Sequence, residues 1–288
     1  MGTGEHRLKR LIVTADDFGR SLAVNEAVEE AYATGILTAA SLMVGADAAS
    51  DAVDRAKRHP GLGVGLHLVV ICGKSVLPPI EIPDLVDAKG EFDTNLVRAG
   101  FRYFFLPKVR RQLAREIRAQ FEAFRDLDLE LDHVNAHNHL HLHPTVLGLI
   151  LSIGCDYGLR TVRVPDEPVE IPGATPLSIS GRLGGAFLGI WLRFMRKRLL
   201  GADIRINDYV FGIRDSGNMV RERMLALLQE LPNGVTEIFL HPARGSWDGV
   251  EAAAAQYRFE DEFRALVDPT VKSAVTASGA TLITFKDI

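Results

Sequence analysis

The chain has 288 residues, with 37 acidic and 33 basic side chains and a formal net charge of −4. Because this balance gives no overall basic field, we expect no nucleic-acid partner. Two cysteines, Cys72 and Cys155, are too few for a disulfide framework and fit a reducing cytoplasm. The polar N-terminus argues against a signal peptide, and no apolar run reaches the roughly 18 residues of a membrane span. We therefore expect a cytoplasmic protein.

Short apolar runs alternate with amphipathic segments in the first half of the chain. The predicted strands are Leu11 to Thr14, Leu37 to Val44 and Val64 to Ile71. The predicted helices run from the N-cap Ser21 to Gly35, from Ala48 to Arg58 and through Val109 to Phe124. Between Pro78 and Glu91 we predict a loop. This alternation is typical of parallel βα units and predicts an α/β fold.

The second half continues the same pattern. Helices are predicted for Thr145 to Ile153 and Met219 to Leu231, and a proline-rich loop for Pro165 to Pro176. Predicted strands are Thr161 to Val164, Thr236 to Leu240 and Thr281 to Phe285. The sequence shows no internal repeat.

Five of the nine histidines fall within eleven residues, at His133, His137, His139, His141 and His143. Neutral imidazole is the commonest ligand for a catalytic metal, so the density indicates a metal site. All five share one parity, and a continuous strand would point them to one side, which is more than a mononuclear site uses. We therefore predict that the strand ends near His137 and that the chain turns before Pro144. A solvated metal-storage run is the alternative.

Isolated polar residues lie at other predicted strand ends. Asp16 and Asp17 follow the first strand, and on such a bend one carboxylate can bind a metal while its neighbour reaches water; a turn or helix cap is the alternative. His67 lies inside an apolar strand and His241 ends another, so each is a ligand or acid–base candidate or an ordinary buried histidine. Arg163 contacts either a polar substrate group or a structural carboxylate.

The segment from Leu183 to Leu200 combines an apolar side with four basic residues. A basic helix carrying Trp191 and Phe194 resembles an interfacial membrane segment, which makes peripheral contact with the inner membrane face an expectation. A core-packing helix with a solvated basic end is the alternative.

Four sequence blocks together resemble the YdjC-like carbohydrate deacetylases. They are residues 14–19 (TADDFG), residues 65–68 (GLHL), the histidine run that ends at Pro144, and residues 240–242 (LHP). Residues 101–107 and 131–137 are similar to the branch associated with hopanoid biosynthesis. The resemblance implies a distorted (β/α) barrel of the TIM type. We expect one domain over residues 1–288 with a variable insertion at about 165–217.

Carried over by motif position, the resemblance implies that Asp17, His67 and His137 bind one divalent metal ion. Two histidines and one aspartate suit zinc, while magnesium, manganese and cobalt remain open. It implies that Asp16 is the general base and that His241 faces the scissile amide from the opposite side.

We expect substrate contacts from Arg163, His139 and His141. The chain departs from the family at Asn135, where many members carry Asp, so the support of a ligand histidine is weaker or different here.

The function that the resemblance implies is hydrolysis of the N-acetyl group of an N-acetylglucosamine unit, on a glycosylated hopanoid lipid. A soluble chito-oligosaccharide is the alternative substrate. A rival from another class is a non-catalytic protein that holds several metal ions through His139, His141 and His143. Metal stoichiometry separates the two classes, because the hydrolase needs one ion per chain.

Overall fold

The computed structural model describes residues 8–168, 179–247 and 250–288. In this part of the chain the strands are β1 (Lys9–Phe18), β2 (Ala39–Leu42), β3 (Gly63–Leu68), β4 (Val134–Ala136), β5 (Tyr209–Phe211), β6 (Gly234–Leu240) and β7 (Thr281–Leu282). They form one parallel sheet in the order β4-β3-β2-β1-β6-β5, and β7 pairs with β1. The predicted α/β class is therefore confirmed.

Helices cover the outside of this sheet. They are α1 (Leu22–Thr34), α2 (Ala49–Arg58), α3 (Leu96–Phe105), α4 (Pro107–Arg125), α5 (Pro144–Gly154), α6 (Ile179–Leu200), α7 (Arg221–Gln229), α8 (Phe259–Val267) and α9 (Pro269–Ala277). Ser21 caps α1 as predicted, because its side chain accepts from the Val24 amide. None of the described helices is long and apolar enough to cross a membrane.

The sheet curls into a half-barrel of the TIM type. Beyond β4, Val162 bridges to Val134 and Thr161 bridges to Arg205, which lies shortly before β5 at the opposite edge. The predicted strand from Thr161 to Val164 is thus reduced to two isolated bridges. Arg163 is fully buried in this segment.

Central strands are buried on both faces, as parallel strands covered by helices are. Leu11, Ile12 and Val13 are fully buried although they point to alternate sides of β1. All five pairings along the main sheet are parallel, so the carboxyl ends of the strands meet at one edge. That edge is where α/β folds collect functional residues. The predicted loop from Pro165 to Pro176 lies mostly outside the described residues.

Candidate active site

Three side chains converge at the carboxyl ends of β1, β3 and β4. Asp17 Oδ1 lies 3.3 Å from His67 Nε2 and 3.2 Å from His137 Nδ1, and the two ring nitrogens are 3.4 Å apart. All three residues are buried, and they form a group within reach of one metal ion. The structure therefore brings together the three residues that the sequence predicted as ligands.

A bulge in β1 aims the two aspartates apart. The register with β2 shifts between Ala15 and Phe18, and Asp17 has a left-handed φ of 64°. The following turn is held by Asn25, whose side chain accepts from the Gly19 amide. Asp17 consequently faces His137, while Asp16 faces the inside of the half-barrel.

The histidine run leaves the sheet where the sequence predicted. β4 ends at Ala136, and Asn138 and His139 adopt left-handed φ values of 53° and 52°. His137 and His139 line a cavity of about 220 Å³ at the site, together with Asp16 and His241. The turn therefore separates the roles of histidines that share one parity.

The remaining histidines do not form a second ligand group among the described residues. His141 is fully buried with both ring nitrogens unpaired, and burial holds its pKa well below the ordinary value. Burial also lowers the pKa of His139 to about 3. His143 caps α5 and packs against Phe104.

Arg163 fixes the Asp16 carboxylate. Its guanidinium donates to both oxygens of Asp16, at 2.6 and 3.0 Å, and also to Glu237. Burial opposes ionisation of Asp16, but Arg163 outweighs it and holds the pKa of that carboxyl well below its ordinary value. Asp16 is thus an ionised carboxylate with a fixed orientation.

This arrangement favours the structural alternative for Arg163. The side chain is fully buried, its donors go to Asp16 and Glu237, and its guanidinium stacks over Phe239 at 4.7 Å. A guanidinium with no exposed surface has no face left for a substrate. The expected substrate contact is therefore replaced by a positioning role, because Arg163 reaches the site only through Asp16.

Asn135 connects the metal-ligand candidates to Asp16. Its Oδ1 lies 2.7 Å from His67 Nδ1, and its Nδ2 donates to Asp16 Oδ1 at 3.1 Å and to Ser41 Oγ at 2.9 Å. An asparagine can serve all three partners because it offers both an acceptor and donors. An aspartate here would place a second carboxylate against Asp16.

A buried chain of hydrogen bonds fixes the orientation of this amide. Asp132, whose pKa is lowered by His133 despite its burial, accepts from His133 Nδ1 at 2.9 Å. The other ring nitrogen lies 3.0 Å from Ser41 Oγ, so Ser41 donates to it and accepts from Asn135. Asn135 Oδ1 then accepts from His67 Nδ1, which leaves the Nε2 lone pair free to face Asp17.

Gly65 makes room for this chain. A Cβ at this position would lie 2.4 Å from the His133 ring. The close approach that a glycine permits in a strand is therefore used by an imidazole.

An ion pair in a loop closes the opposite side of the site. Glu251 Oε1 lies 3.0 Å from His137 Nε2 and 2.7 Å from Arg20 Nη2, and Arg20 also donates to Asp17 Oδ2 at 3.2 Å. Burial alone would lower the pKa of His137, but Asp17 and Glu251 outweigh it and raise the pKa to about 9. Glu251 could not be found from the sequence, since a glutamate in a loop carries no pattern.

His241 lies at the end of β6 across the cavity from the ligand candidates. Its ring packs near Tyr257, with centroids 5.2 Å apart, and its amide donates to Glu262 at 2.6 Å. Burial lowers the pKa of His241 and raises that of Glu262 to about 7. His241 lines the 220 Å³ cavity, and its buried Nδ1 has no hydrogen-bond partner among the described residues.

A parallel half-barrel carries at its carboxyl edge an aspartate and two histidines that could hold a metal ion, beside a second aspartate of fixed orientation. The chain belongs to the YdjC-like protein family, which matches residues 10–277.

Two similar proteins are named as carbohydrate deacetylases, and one similar solved structure has a different name. A carbohydrate deacetylase of Geobacillus stearothermophilus is 31% identical over 278 residues, which cover 96% of each chain. A carbohydrate deacetylase of Brevibacillus brevis is 40% identical over 156 residues, which cover 54% of this chain and 59% of that one. A solved structure from Enterococcus faecalis, named provisionally as a cellobiose-phosphate cleavage protein, has 25% identity and a TM-score of 0.72, covering 97% of this chain and 98% of that one.

Proposed function

We propose that the protein is a metal-dependent hydrolase that removes the N-acetyl group from an N-acetylglucosamine unit. The observation that carries this proposal is the triangle of Asp17, His67 and His137, set beside an Asp16 carboxylate that is held in place. The names of the relatives support the same reaction.

The donor atoms fit a divalent ion. Ligand atoms at the usual zinc distances of about 2.0–2.1 Å in a tetrahedral site are roughly 3.3 Å apart, close to the 3.2–3.4 Å observed. Asp17 Oδ1 is buried without a hydrogen-bond partner, which suits a metal ligand. Arg20 and Arg163 are each shared by two carboxylates, so the ion pairs leave an excess of negative charge for a cation to neutralise.

The residues then have distinct tasks. A divalent ion would supply a Lewis acid that lowers the pKa of water and polarises an acetamide carbonyl. Asp16 takes the proton from the attacking water, since Arg163 holds its carboxylate ionised and aimed. His241, on the other side of the cavity, serves the leaving nitrogen. Burial lowers the pKa of His241 and so favours its neutral imidazole. The proton that His241 passes to the leaving nitrogen is therefore the one that Asp16 took from the water. The carbon–nitrogen bond breaks to give acetate and a free amine.

Acetate release from purified protein tests the proposal. Protein loaded with zinc, magnesium, manganese or cobalt is incubated with diacetylchitobiose and with N-acetylglucosaminyl hopanoid, and acetate is measured. We expect release with at least one metal, and release at least about 10²-fold slower from Asp16→Asn. Absence of acetate with every metal and both substrates would refute the proposal.

We further propose that the natural acceptor is lipid-linked. Beyond the family resemblance, α6 supports this: Ile190 and Phe194 are more than half exposed, and Lys197 and Arg198 are exposed beside them. Each exposed basic residue near an anionic leaflet is worth roughly 1 kcal/mol. Arg196 is excluded from this surface, because it donates to Asp166 and to the carbonyls of residues 207 and 208.

Vesicle assays separate this acceptor from the soluble alternative. Replacing Phe194, Lys197 and Arg198 together should lower activity on vesicle-borne substrate and leave activity on diacetylchitobiose unchanged. Equal loss on both substrates, or no vesicle binding by the parent protein at low salt, would assign α6 to ordinary packing.

A non-catalytic metal carrier has less support. The described residues form one group able to hold an ion, and it does not include His139, His141 or His143. Binding of several ions per chain would restore that alternative.

A further inference from the structure

A second cavity adjoins the active site. Its volume is about 390 Å³, and it shares Arg20 and Glu251 with the 220 Å³ cavity that holds the ligand candidates. Ligand pockets usually measure about 300–1,000 Å³, so the site cavity alone is small and the two together fall within the range. A substrate with a group attached to the reacting sugar would extend into this second space.

The boundary between the two cavities is an ion pair that contacts both. Arg20 donates to Asp17 on one side and to Glu251 on the other, and Glu251 also reaches His137. A ligand that spans both cavities would contact Arg20 or Glu251, and its position relative to the metal-ligand candidates would thereby be fixed. We call the outer space the Trp247 cavity, after the largest side chain in its lining.

The lining of the Trp247 cavity suits a hydroxylated ring. Trp247 is partly buried and fixed edge-on against Phe259, with ring centroids 4.7 Å apart. Apolar side chains of Met43, Val69 and Phe92 add to the indole, and they are buried. Besides the shared Arg20 and Glu251, the polar part of the lining includes Asp47, Lys74, Glu91 and Thr94. A sugar ring presents apolar C–H faces to an aromatic plane and hydroxyl groups to polar neighbours, which matches this division.

Charge pairing selects a neutral ligand. Lys74 Nζ lies 2.7 Å from Asp47, and Arg20 is shared by Asp17 and Glu251. Among the described lining residues both cations are therefore already paired, and Glu91 adds a further carboxylate. A phosphate would meet no unpaired cation here, whereas hydroxyl groups can form hydrogen bonds with both cationic and anionic side chains.

We propose that the Trp247 cavity binds a neutral, hydroxylated group joined through a glycosidic bond to the acetylated amino sugar. The proposal rests on the proposed function, because it takes the acetamido sugar to lie in the inner cavity. The attached group is either the second ring of a soluble oligosaccharide or the hydroxylated part of a lipid-linked acceptor. In both cases the enzyme prefers a substituted amino sugar to the free monosaccharide.

A kinetic comparison tests the preference. The ratio of kcat/KM for diacetylchitobiose to that for N-acetylglucosamine is measured for the parent protein, Trp247→Ala and Trp247→Phe. We expect a ratio of at least tenfold in the parent, its collapse towards one in Trp247→Ala, and retention of most of it in Trp247→Phe. The matched control is Trp191→Ala, which removes the other tryptophan of the chain and should leave the ratio unchanged. A ratio near one in the parent, or equal loss on both substrates in Trp247→Ala, overturns the proposal.

A third substrate separates the two sources of the ligand. If the attached group belongs to a lipid acceptor, Trp247→Ala also lowers kcat/KM for N-acetylglucosaminyl hopanoid in detergent micelles by at least tenfold. If that activity is unchanged while diacetylchitobiose activity falls, the ligand is the second ring of an oligosaccharide.

A binding measurement distinguishes failure of the cavity from failure of the proposed function. The chain has two tryptophans, so Trp191→Phe leaves Trp247 as its single indole. In the Asp16→Asn background, diacetylchitobiose should change the indole emission with a Kd at least tenfold below that of N-acetylglucosamine. If the parent protein releases acetate but the Asp16→Asn variant shows no emission change, only the proposal about the Trp247 cavity is refuted. Acetate release absent from every substrate refutes the function and the proposal with it.

Discussion

Replacing Asn135 by leucine probes the support of the metal site directly. The side chain keeps a similar volume, but His67 Nδ1 loses its acceptor at 2.7 Å, and Asp16 and Ser41 lose a donor. The imidazole is then free to rotate or to change tautomer, so its Nε2 lone pair no longer faces Asp17. Loss of such a hydrogen-bond partner typically lowers metal affinity by about 10–100-fold, or roughly 1.4–2.7 kcal/mol.

Asn135→Asp is the matched control for this experiment. It restores the acceptor for His67 but places a carboxylate oxygen about 3.1 Å from Asp16 Oδ1. Two unit charges at this separation repel by about 5 kcal/mol at an effective dielectric constant of about 20, so one of the pair should hold a proton. We expect metal affinity close to that of the parent. Turnover should begin to rise only at a higher pH than in the parent, because the shared proton must be lost first.

Competition with a chromophoric chelator at fixed pH measures both affinities, and thermal unfolding of the metal-free forms checks that they fold. Ser41→Ala should lower metal affinity less than Asn135→Leu does, since it only frees the Asn135 amide to turn. Affinity of Asn135→Leu within twofold of the parent would refute the reasoning, as would tighter binding by Asn135→Leu than by Asn135→Asp.

Three further predictions concern the ligands, the base and a buried acid. Asp17→Ala and His137→Ala should each abolish binding of the single metal ion while the chain stays folded, as atomic absorption and circular dichroism would report; full occupancy would remove that residue from the ligand set. Asp16→Asn should lose about 10²-fold or more in turnover with the metal retained, and near-normal turnover would mean that another residue is the base. Burial raises the pKa of Glu262 to about 7 from 4.5, so the folded chain binds this proton more tightly than the unfolded chain. The resulting stability is complete below pH 4.5 and is lost as the pH rises to about 7, by roughly 3 kcal/mol relative to Glu262→Gln. The free energy of unfolding of both proteins is measured by denaturant melts across this pH range. A difference between them that stays constant with pH would contradict the reasoning.

Strand positions could be predicted because parallel strands buried on both faces show as short apolar runs. The runs at residues 11–14, 64–71 and 236–240 coincide with β1, β3 and β6, although β3 ends at Leu68. Asp17 follows such a run and His67 lies inside one, but the full set of three ligand candidates was implied by the family resemblance. Three helices, α3, α8 and α9, were missed, since they are short and only Asp268 separates α8 from α9.

Side-chain partners from distant segments could not be predicted. Arg163 pairs with residues that lie 147 and 74 positions away, and nothing in its own segment decides between a substrate and a carboxylate. The chain of hydrogen bonds from Asp132 through Ser41 likewise joins three strands. Glu251 contacts His137 from 114 positions away along the chain.

The central claim is that one divalent ion at Asp17, His67 and His137 enables hydrolysis of an acetamido sugar. The most direct measurement strips the protein of metal, adds back one equivalent of zinc, and follows acetate and free amine from diacetylchitobiose. We predict no product from the stripped protein, restoration by one equivalent, and no restoration in His67→Ala. Acetate release that persists after stripping, or that needs several equivalents of metal, would contradict the account.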